Sequence, residues 1–457
     1  MQTTADGQLA APWYRPPVSA PRPRAAALVA ASLPLGAGVA LAANAAHRPT
    51  PVLVGAVLGS LAVLALALVR YDAAVALAFV LFAVVRVEPS PSDAIFAIVV
   101  ALAVATGRFD LRRVPLGILV CVAAFLAANA VSSFAALDLT RAARFAGITT
   151  YLLLFALWLP SWLDRRERAR RLVRIYVGVA TVTAAVGSIA LFAHVPGHAV
   201  LTADSGTRAR GLFKDANVFG PFLVPAALLL VQEILHPSLL RSRTIVKVTL
   251  LATVAAGILF SYSRGAWLNA SLGCVVMLLV TSLRRRGAGR TLVLVGVLAT
   301  SVTVAATAVG VAGQLPFLRE RARAQTYDVE RFSAQRGGVA LGARSPLGVG
   351  PGQFELHEPI SAHSTYVRAF AEEGAVGALV LVGLLGGTLA LALRNAARGW
   401  DTFGISSTVL LGSWCGVLAS SVFVDTLHWR HLWLLAGLIW AAAPAHTSSS
   451  AGTRPPR

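Results

Sequence analysis

Arg264, Arg331 and His363 are the residues of this sequence whose types and positions most favour chemistry. An arginine side chain presents a planar fork of N–H donors that binds phosphate oxygens at two points. Several converging arginines suit a diphosphate leaving group, because the charge that develops on the departing oxygen needs stabilisation. A histidine titrates near neutral pH and is the natural group to accept a proton from a sugar hydroxyl.

Each of the three residues also has an ordinary interpretation. Arg264 stands between two apolar runs, where a snorkelling arginine is common. Arg331 fits a solvated loop, and His363 fits a surface histidine at the end of that loop. Arg210 offers a further positive charge that is predicted to lie on the same side of the membrane.

Glu372 and Glu373 are alternative participants in the chemistry. Arg368 precedes Glu372 by four residues, which is the spacing of a local ion pair on a helix. Glu373 has no such partner in its own helix and is predicted to face the site.

Metal and nucleotide sites are not predicted. The sequence contains no acidic metal-binding cluster, and we expect no cofactor. The glycines of residues 348–352 are not followed by Lys and Ser or Thr, so they predict a turn rather than a nucleotide loop. The three cysteines lie inside apolar runs without metal-ligand spacing and are interpreted as packing residues; they are Cys121, Cys274 and Cys415.

The elements that must position these residues are membrane helices. Of the 457 residues, 56% are hydrophobic and 13% are charged, whereas soluble domains carry roughly 25% charged residues. The apolar residues form runs close to the ~20 that a helix needs to cross ~30 Å of hydrocarbon. The prediction is an all-α polytopic membrane protein with about 12 to 14 transmembrane helices. The predicted spans are 25–45, 51–69, 73–87, 93–106, 114–131, 145–160, 172–194, 217–235, 245–262, 265–283, 291–313, 365–393, 404–424 and 431–444.

The distribution of charge predicts the orientation. The chain has 40 Lys and Arg residues against 20 Asp and Glu residues, a balance that in a soluble protein suggests nucleic acid. In a membrane protein, arginine and lysine collect in short cytoplasmic loops instead. Placing the arginine clusters at 165–171 and 284–290 in the cytoplasm puts both termini there as well.

This orientation divides the chain into five parts. The long loop at 314–364 is then extracytoplasmic and contains short surface helices. One helix is predicted at 328–343, lying on the membrane surface, although Gly337 and Gly338 oppose it. The other parts are a disordered cytoplasmic tail at 1–24, eleven transmembrane helices at 25–313, the last transmembrane helices at 365–444, and a second disordered cytoplasmic tail at 445–457.

Three motifs in a fixed order resemble the O-antigen ligase and O-antigen polymerase superfamily of bacterial envelope enzymes. The first is Arg-Gly-x-Phe-x-x-x-Asn at 210–217, and the second is Ser-Arg-Gly-Ala at 263–266. The third places Arg331 fifteen residues before Pro-Leu-Gly-Val-Gly at 346–350. It continues with His363-x-x-Tyr366 and Glu373-Gly-x-x-Gly377. The chain departs from the family pattern at Ser364, where Asn is common, and at 214–216, which puts acceptor recognition in doubt.

The resemblance implies a glycosyltransferase of the C-type architecture. Its donor would be a glycan on a polyprenyl diphosphate, with no nucleotide sugar and no metal. Carried over by position, Arg264 and Arg331 bind the diphosphate, and His363 orients or deprotonates the acceptor hydroxyl. The other residues that the motifs assign to substrate binding are Arg210, Asn217, Tyr366 and Glu373.

The alternatives differ in acceptor and in class. Ligase, polymerase and protein glycosylation differ only in the acceptor, and all act at the outer face of the bacterial cytoplasmic membrane. A transporter or lipid-linked glycan flippase would need a continuous polar path across the bilayer, which the sequence does not display. A structural scaffold would leave the outer arginines scattered.

Overall fold

A computed structural model of the chain describes residues 50–86, 90–193, 196–284 and 326–442. The predicted spans at 25–45 and 291–313, and both predicted tails, lie outside these ranges. Within the described ranges, six helices are long and apolar enough to cross a membrane, and five shorter apolar helices accompany them. A helix of 20 residues is roughly 30 Å long, which matches the hydrocarbon core. The prediction of an all-α polytopic membrane protein is confirmed.

The described helices follow the predicted spans closely. In chain order, the helices are α1 (Thr50–Val69), α2 (Tyr71–Val80), α3 (Pro91–Ala105), α4 (Leu116–Ser132), α5 (Leu139–Trp162), α6 (Arg166–Phe192), α7 (His198–Leu201), α8 (Ala216–Leu235), α9 (Thr244–Phe260), α10 (Arg264–Arg284), α11 (Thr326–Arg344), α12 (Phe354–His357), α13 (Thr365–Glu372), α14 (Gly374–Arg398), α15 (Ser407–Ser420) and α16 (Arg430–Trp440). The six long apolar helices are α4, α5, α6, α8, α10 and α14. Two short antiparallel strands, β1 (Thr202–Ala203) and β2 (Arg208–Ala209), lie between α7 and α8.

The core of the N-terminal half is aromatic. Phe96 of α3 packs its ring against Phe155 of α5 with 4.6 Å between centroids, and against Phe79 of α2 at 4.9 Å. Phe222 of α8 extends this cluster, since its ring lies 6.1 Å from that of Phe82. Such rings bury large apolar areas and prefer these tilted geometries. The cluster fixes α5, whose first turns reach the candidate site.

The bundle has two chemically different ends. Arg166 donates from Nη2 to the Ser238 carbonyl at 3.0 Å, and Arg284 donates from Nη2 to the Asn395 carbonyl at 3.4 Å. The 404–407 segment joins the two contacts, because the Ser238 Oγ donates to the Gly404 carbonyl at 3.1 Å and Arg284 also donates to the Ser407 Oγ at 3.4 Å. Arg166 and Arg284 therefore lie at one end of the bundle, which we call the basic end. Arg264 begins α10, and the 21-residue helix places it about 30 Å from the basic end. We call the end that contains Arg264 the site end.

Polar caps begin the helices at the site end. The Asp138 carboxylate accepts a hydrogen bond from the Arg141 amide at 2.9 Å and so caps α5. The Asp215 carboxylate accepts from the Asn217 amide at 2.8 Å and caps α8. A polar side chain at the N-cap satisfies an amide that the helix itself leaves without a partner. These caps fix the chain entry points of two helices that reach the site.

The predicted span at 365–393 is two helices rather than one. The chain breaks between α13 and α14 at Gly374, whose φ is +73°, a backbone conformation that favours glycine. The predicted glycine turn packs into this break. Val349 donates its amide to the Ala371 carbonyl at 3.0 Å, and Gly350 donates to the Glu372 carbonyl at 2.9 Å. The loop therefore satisfies the backbone groups at the end of α13, which explains the interruption.

The predicted loop helix at 328–343 is present as α11, despite the two glycines that oppose it. Gly338 packs directly on Phe354 and Val367, and an added Cβ would approach the Val367 Cγ1 to 2.6 Å. The glycine is therefore needed for close packing of α11 against α13. This contact outweighs the roughly 1 kcal/mol by which glycine weakens a helix relative to alanine.

Gly338→Val is expected to destabilise the protein by about 1–3 kcal/mol, because the added side chain overpacks the contact between α11 and α13. The thermal midpoint of the purified protein in detergent micelles measures the effect. Gly383→Ala in α14 is the matched control, because no atom lies within 4 Å of an added Cβ there. Equal midpoints for the two variants would contradict the packing role of Gly338.

Candidate active site

The loop between α15 and α16, residues 421–429, is the meeting point of the predicted site residues; we call it the site loop. Arg331 of α11 donates from Nη2 to the Phe423 carbonyl at 2.6 Å. One turn further along α11, Gln335 donates from Nε2 to the His363 carbonyl at 3.2 Å and to the Val422 carbonyl at 3.4 Å. Helix α11 therefore holds both Arg331 and the main chain of His363 against the site loop.

The segment that carries Arg264 also contacts the site loop. Gly265, the next residue, lies beside Val424, whose Cγ2 would be 3.7 Å from a Cβ added at the glycine. The Gly265 carbonyl also accepts a hydrogen bond at 3.3 Å from the Oγ of Ser420, the last residue of α15. The turn before α10 is tightly formed, since Tyr262 has a φ of +46° and the Ser263 Oγ accepts from the Ala266 amide at 3.3 Å. The segments that carry Arg264, Arg331 and His363 thus converge on the site loop.

His363 lies in a strained and partly buried position. Its φ is +46°, a left-handed conformation that costs a non-glycine residue about 1–2 kcal/mol. Burial and the positive charge of Arg331 lower its pKa to about 4, against opposing effects of the carboxylates of Asp215 and Asp425. The imidazole is therefore neutral at pH 7 and has a lone pair with which to accept a proton.

Arg368 lies at the centre of a buried ion network. Its side chain is 5% exposed and contacts three carboxylates. Arg368 Nη1 is 2.9 Å from Glu372 Oε1, Nε is 2.8 Å from Asp425 Oδ2, and Nη2 forms an ion pair with Glu355. Ser361 Oγ accepts a further hydrogen bond from Nη2 at 2.8 Å. Pairing and hydrogen bonding of this kind are what a buried charge requires.

The Arg368 network ties several loop segments together. Glu372 accepts hydrogen bonds from the amides of Gly352 at 2.8 Å and Phe354 at 3.0 Å, so this carboxylate holds the glycine turn. Arg141 of α5 donates from Nη2 to Glu355 at 2.6 Å. Burial alone would raise the pKa of Glu355, but the ion pair with Arg368 outweighs it and the pKa is lowered. Glu372 is paired with Arg368 as its four-residue spacing indicates.

Arg210 lies at the site end in the segment before α8, and Asn217 lies in the first turn of α8. Arg210 donates from Nη2 to the Ala199 carbonyl at 2.8 Å and from Nη1 to the Lys214 carbonyl at 3.2 Å. Asn217 accepts from Arg208 Nη2 at 2.8 Å through its side-chain oxygen. These bonds shape the segment, and substrate binding by the two residues stays a prediction.

Arg208 connects two segments of the site end, although it belongs to none of the three motifs. Its guanidinium is buried and donates from Nε to the Ser261 carbonyl at 2.9 Å, while Nη2 holds Asn217. It therefore connects the segment before α8 to the turn before Arg264.

Tyr366 and Glu373 face inward. The Tyr366 hydroxyl donates to the Leu418 carbonyl at 3.3 Å, so it links α13 to α15. Glu373 is 3% exposed, and its Oε2 has no hydrogen-bond partner among the described residues. Their predicted roles in substrate binding also stay predictions.

A groove of about 380 Å³ lies next to the candidate site. It lies between α11 and α13, and its walls come from Phe332, Gln335, Arg336, Val339 and Val367. Gln335 connects this groove to His363 and the site loop. In the part of the chain that the structure describes, no group of three or more His, Cys, Asp or Glu side chains is placed to hold a metal ion.

Asp425 is the site residue that sequence reasoning missed. It stands in the short polar segment Asp-Thr-Leu-His at 425–428, between two apolar spans. A carboxylate at such a boundary is a functional candidate by default, so the sequence contained the information needed to select Asp425. Its partner Arg368 was interpreted only as the local partner of Glu372.

Comparison with known families gives a match over part of the chain. Residues 249–382 match the family model described as O-antigen ligase. The matched region begins within α9, ends within α14, and includes Arg264, Arg331 and His363. No curated protein matches the chain. The match confirms the predicted resemblance to the O-antigen ligase and polymerase superfamily over these residues.

Proposed function

We propose that this protein transfers a glycan from a polyprenyl-diphosphate carrier to a sugar hydroxyl. The observation that carries the proposal is the convergence of the Arg264, Arg331 and His363 segments on one loop, at one end of a membrane bundle. The family match supports an enzyme of the O-antigen ligase type that acts on a lipid-linked glycan. A glycan or glycolipid acceptor is the second substrate, and ligase and polymerase differ only in its identity.

The proposed reaction is a single displacement at the anomeric carbon of the donor sugar. The acceptor oxygen forms a bond to this carbon while the bond from the carbon to the diphosphate oxygen breaks. The electron pair of the broken bond leaves with the diphosphate, and the acceptor proton passes to the neutral imidazole of His363. Arg264 and Arg331 stabilise the charge that develops on the leaving diphosphate, which is the stage where fixed cations contribute most.

The site end is proposed to face the outside of the cytoplasmic membrane. Arg166 and Arg284 lie at the opposite end of the bundle, and short cytoplasmic loops collect such residues. A lipid-linked donor suits this location, because sugar nucleotides are scarce outside the cell. Both termini would then be cytoplasmic, and the product would enter the cell envelope.

Transfer in detergent micelles tests the function, because a micelle has no two compartments between which a transporter could act. The donor is the lipid-linked oligosaccharide extracted from the source strain, and the acceptor is the envelope glycan of that strain. The expected result is a longer or newly linked glycan together with released undecaprenyl diphosphate. A purified protein that binds undecaprenyl diphosphate but forms no glycosidic bond would contradict the proposal.

Arg264→Ala and Arg331→Ala are each expected to weaken the affinity for undecaprenyl diphosphate by roughly 10- to 100-fold, since each removes charged hydrogen bonds to phosphate oxygens. Titration of the purified variants with undecaprenyl diphosphate measures the loss. Arg344→Ala, an exposed arginine at the end of α11, is the matched control and should bind as the wild type does. Full affinity and full turnover in both variants would show that the assigned roles are wrong.

A further inference from the structure

The ring of Phe145 forms a partly exposed surface on α5, next to the Arg368 network. The Arg141 guanidinium lies 5.6 Å from the ring centroid, and the Arg368 guanidinium lies 6.0 Å from it. Gly352 packs against the ring, where an added Cβ would approach Phe145 Cγ to 2.6 Å. The ring is therefore held in place by charged groups and by the glycine turn, at the rim of the site.

His428 extends this surface from the site loop. Its ring centroid is 5.3 Å from that of Phe145, and the two planes are inclined by 57°. Its Nε2 lies 3.1 Å from the Oγ1 of Thr149, which is buried one turn below Phe145 on the same helix. The hydrogen bond fixes the plane of the imidazole, and His428 stays partly exposed.

The charges around Phe145 differ from those around Arg331. On the Phe145 side, the guanidiniums of Arg141 and Arg368 are matched by the carboxylates of Glu355, Glu372 and Asp425. Two positive charges against three negative ones make a poor site for a diphosphate. The same groups offer both hydrogen-bond donors and acceptors, without an excess of positive charge, which suits a neutral, hydroxyl-rich ligand.

The chemistry of this surface suits a pyranose ring. One face of the sugar carries C–H groups, which can lie on the negative face of an aromatic ring. Its hydroxyls then point sideways, toward groups placed like His428, Arg141 and Glu355. Arg368 connects the two halves of the site, because it contacts Phe145 and is also paired with Asp425, a carboxylate whose charge acts on His363.

We propose that Phe145 and His428 bind the sugar of the acceptor, with Thr149 as the residue that positions the imidazole. The proposal rests on the proposed function and extends it, because it separates an acceptor subsite from the diphosphate site at Arg264 and Arg331. It also assigns part of the substrate site to α5, outside the matched residues 249–382. The acceptor hydroxyl would then reach His363 across the Arg368 network.

Steady-state kinetics with the extracted lipid-linked donor and the envelope glycan of the source strain tests the subsite. Phe145→Ala and His428→Gln are each expected to raise the acceptor KM about tenfold, while the affinity for undecaprenyl diphosphate is unchanged. Phe145→Tyr keeps an aromatic face and should have the same acceptor KM as the wild type. Thr149→Val should raise the acceptor KM, whereas Thr149→Ser keeps the hydroxyl and should not.

Two controls separate the subsite from general damage at the site end. Phe134→Ala removes a 92% exposed ring before α5, and His357→Gln changes an exposed histidine of α12; neither should alter the acceptor KM. An unchanged acceptor KM in Phe145→Ala and His428→Gln overturns the subsite, as does a loss confined to undecaprenyl diphosphate binding. A wild-type protein that transfers no glycan contradicts the proposed function itself, and the subsite with it.

Discussion

His363→Ala is expected to lower kcat for glycan transfer by roughly 10²–10⁴-fold, the usual contribution of a positioned general base. The variant should still bind undecaprenyl diphosphate, because Arg264 and Arg331 remain. Single-turnover transfer in micelles measures the loss, and a parallel titration with undecaprenyl diphosphate measures the retained binding. His357→Ala, a histidine exposed on α12, is the matched control and should keep the wild-type rate.

The pH profile tests whether His363 acts in its neutral form. The neutral imidazole is the active form, and burial together with Arg331 lowers its pKa to about 4. The transfer rate should therefore stay level as the pH falls from 7 to 5. The rate should decline only as the pH falls through about 4, where the imidazole becomes protonated. Arg331→Gln removes a positive charge, so its acidic limb should move upward at saturating donor. A wild-type limb at the ordinary histidine pKa, or one that Arg331→Gln does not move, would contradict this assignment.

Arg368→Leu is expected to destabilise the protein by about 3–5 kcal/mol, because it leaves buried carboxylates without their cation. The partners that lose it are Glu355, Glu372 and Asp425. The thermal midpoint in micelles measures the loss. Combining Arg368→Leu with Glu372→Gln and Asp425→Asn should recover part of it, because two of the carboxylates that lose their cation become neutral. Glu355 keeps its ion pair with Arg141.

Arg344→Leu provides the comparison for Arg368→Leu, because it removes an exposed arginine of the same loop region and should leave the midpoint unchanged. A midpoint for Arg368→Leu equal to that of Arg344→Leu would show that the network does not stabilise the fold. Recovery in the triple variant without recovery of transfer would separate the two roles of the network. Stability depends on balanced charge, whereas transfer depends on the placement of His363 and the site loop.

Much of the site was predictable because its residues stand at helix boundaries. Arg264 lies between two apolar runs, and His363 directly precedes another, so their proximity to one membrane face follows from span counting. Arg331 is different, since α11 begins in a polar loop and its pairing with Phe423 follows from packing. The motif order indicated that these residues belong together, and the folded chain supplies the loop that joins them.

The helix pattern itself was predictable except where backbone groups find partners outside their own helix. The span at 365–393 was predicted as one helix, because a long apolar run follows directly on its polar first turns. Its break at Gly374 depends on amides of residues 349 and 350, which satisfy carbonyls at the end of α13. Likewise, Gly338 opposes a helix by local propensity and yet permits α11 to pack on α13. Helix propensity depends on local sequence alone, so it predicts neither the hydrogen bonds at the end of α13 nor the packing at Gly338.

The sequence by itself determined the membrane class, the positions of most described helices, and the boundary residues that can meet a polar substrate. These features depend on the lengths of apolar runs and on charges near their ends, which are local properties. Tertiary structure alone decided that Asp425 pairs with Arg368 and that His428 lies against Phe145. The bond between Thr149 and His428 joins positions 279 residues apart. Contacts of this kind arise from the packing of helices against one another. The period of apolar residues in a helix specifies which face is buried, but it does not specify which helix packs there.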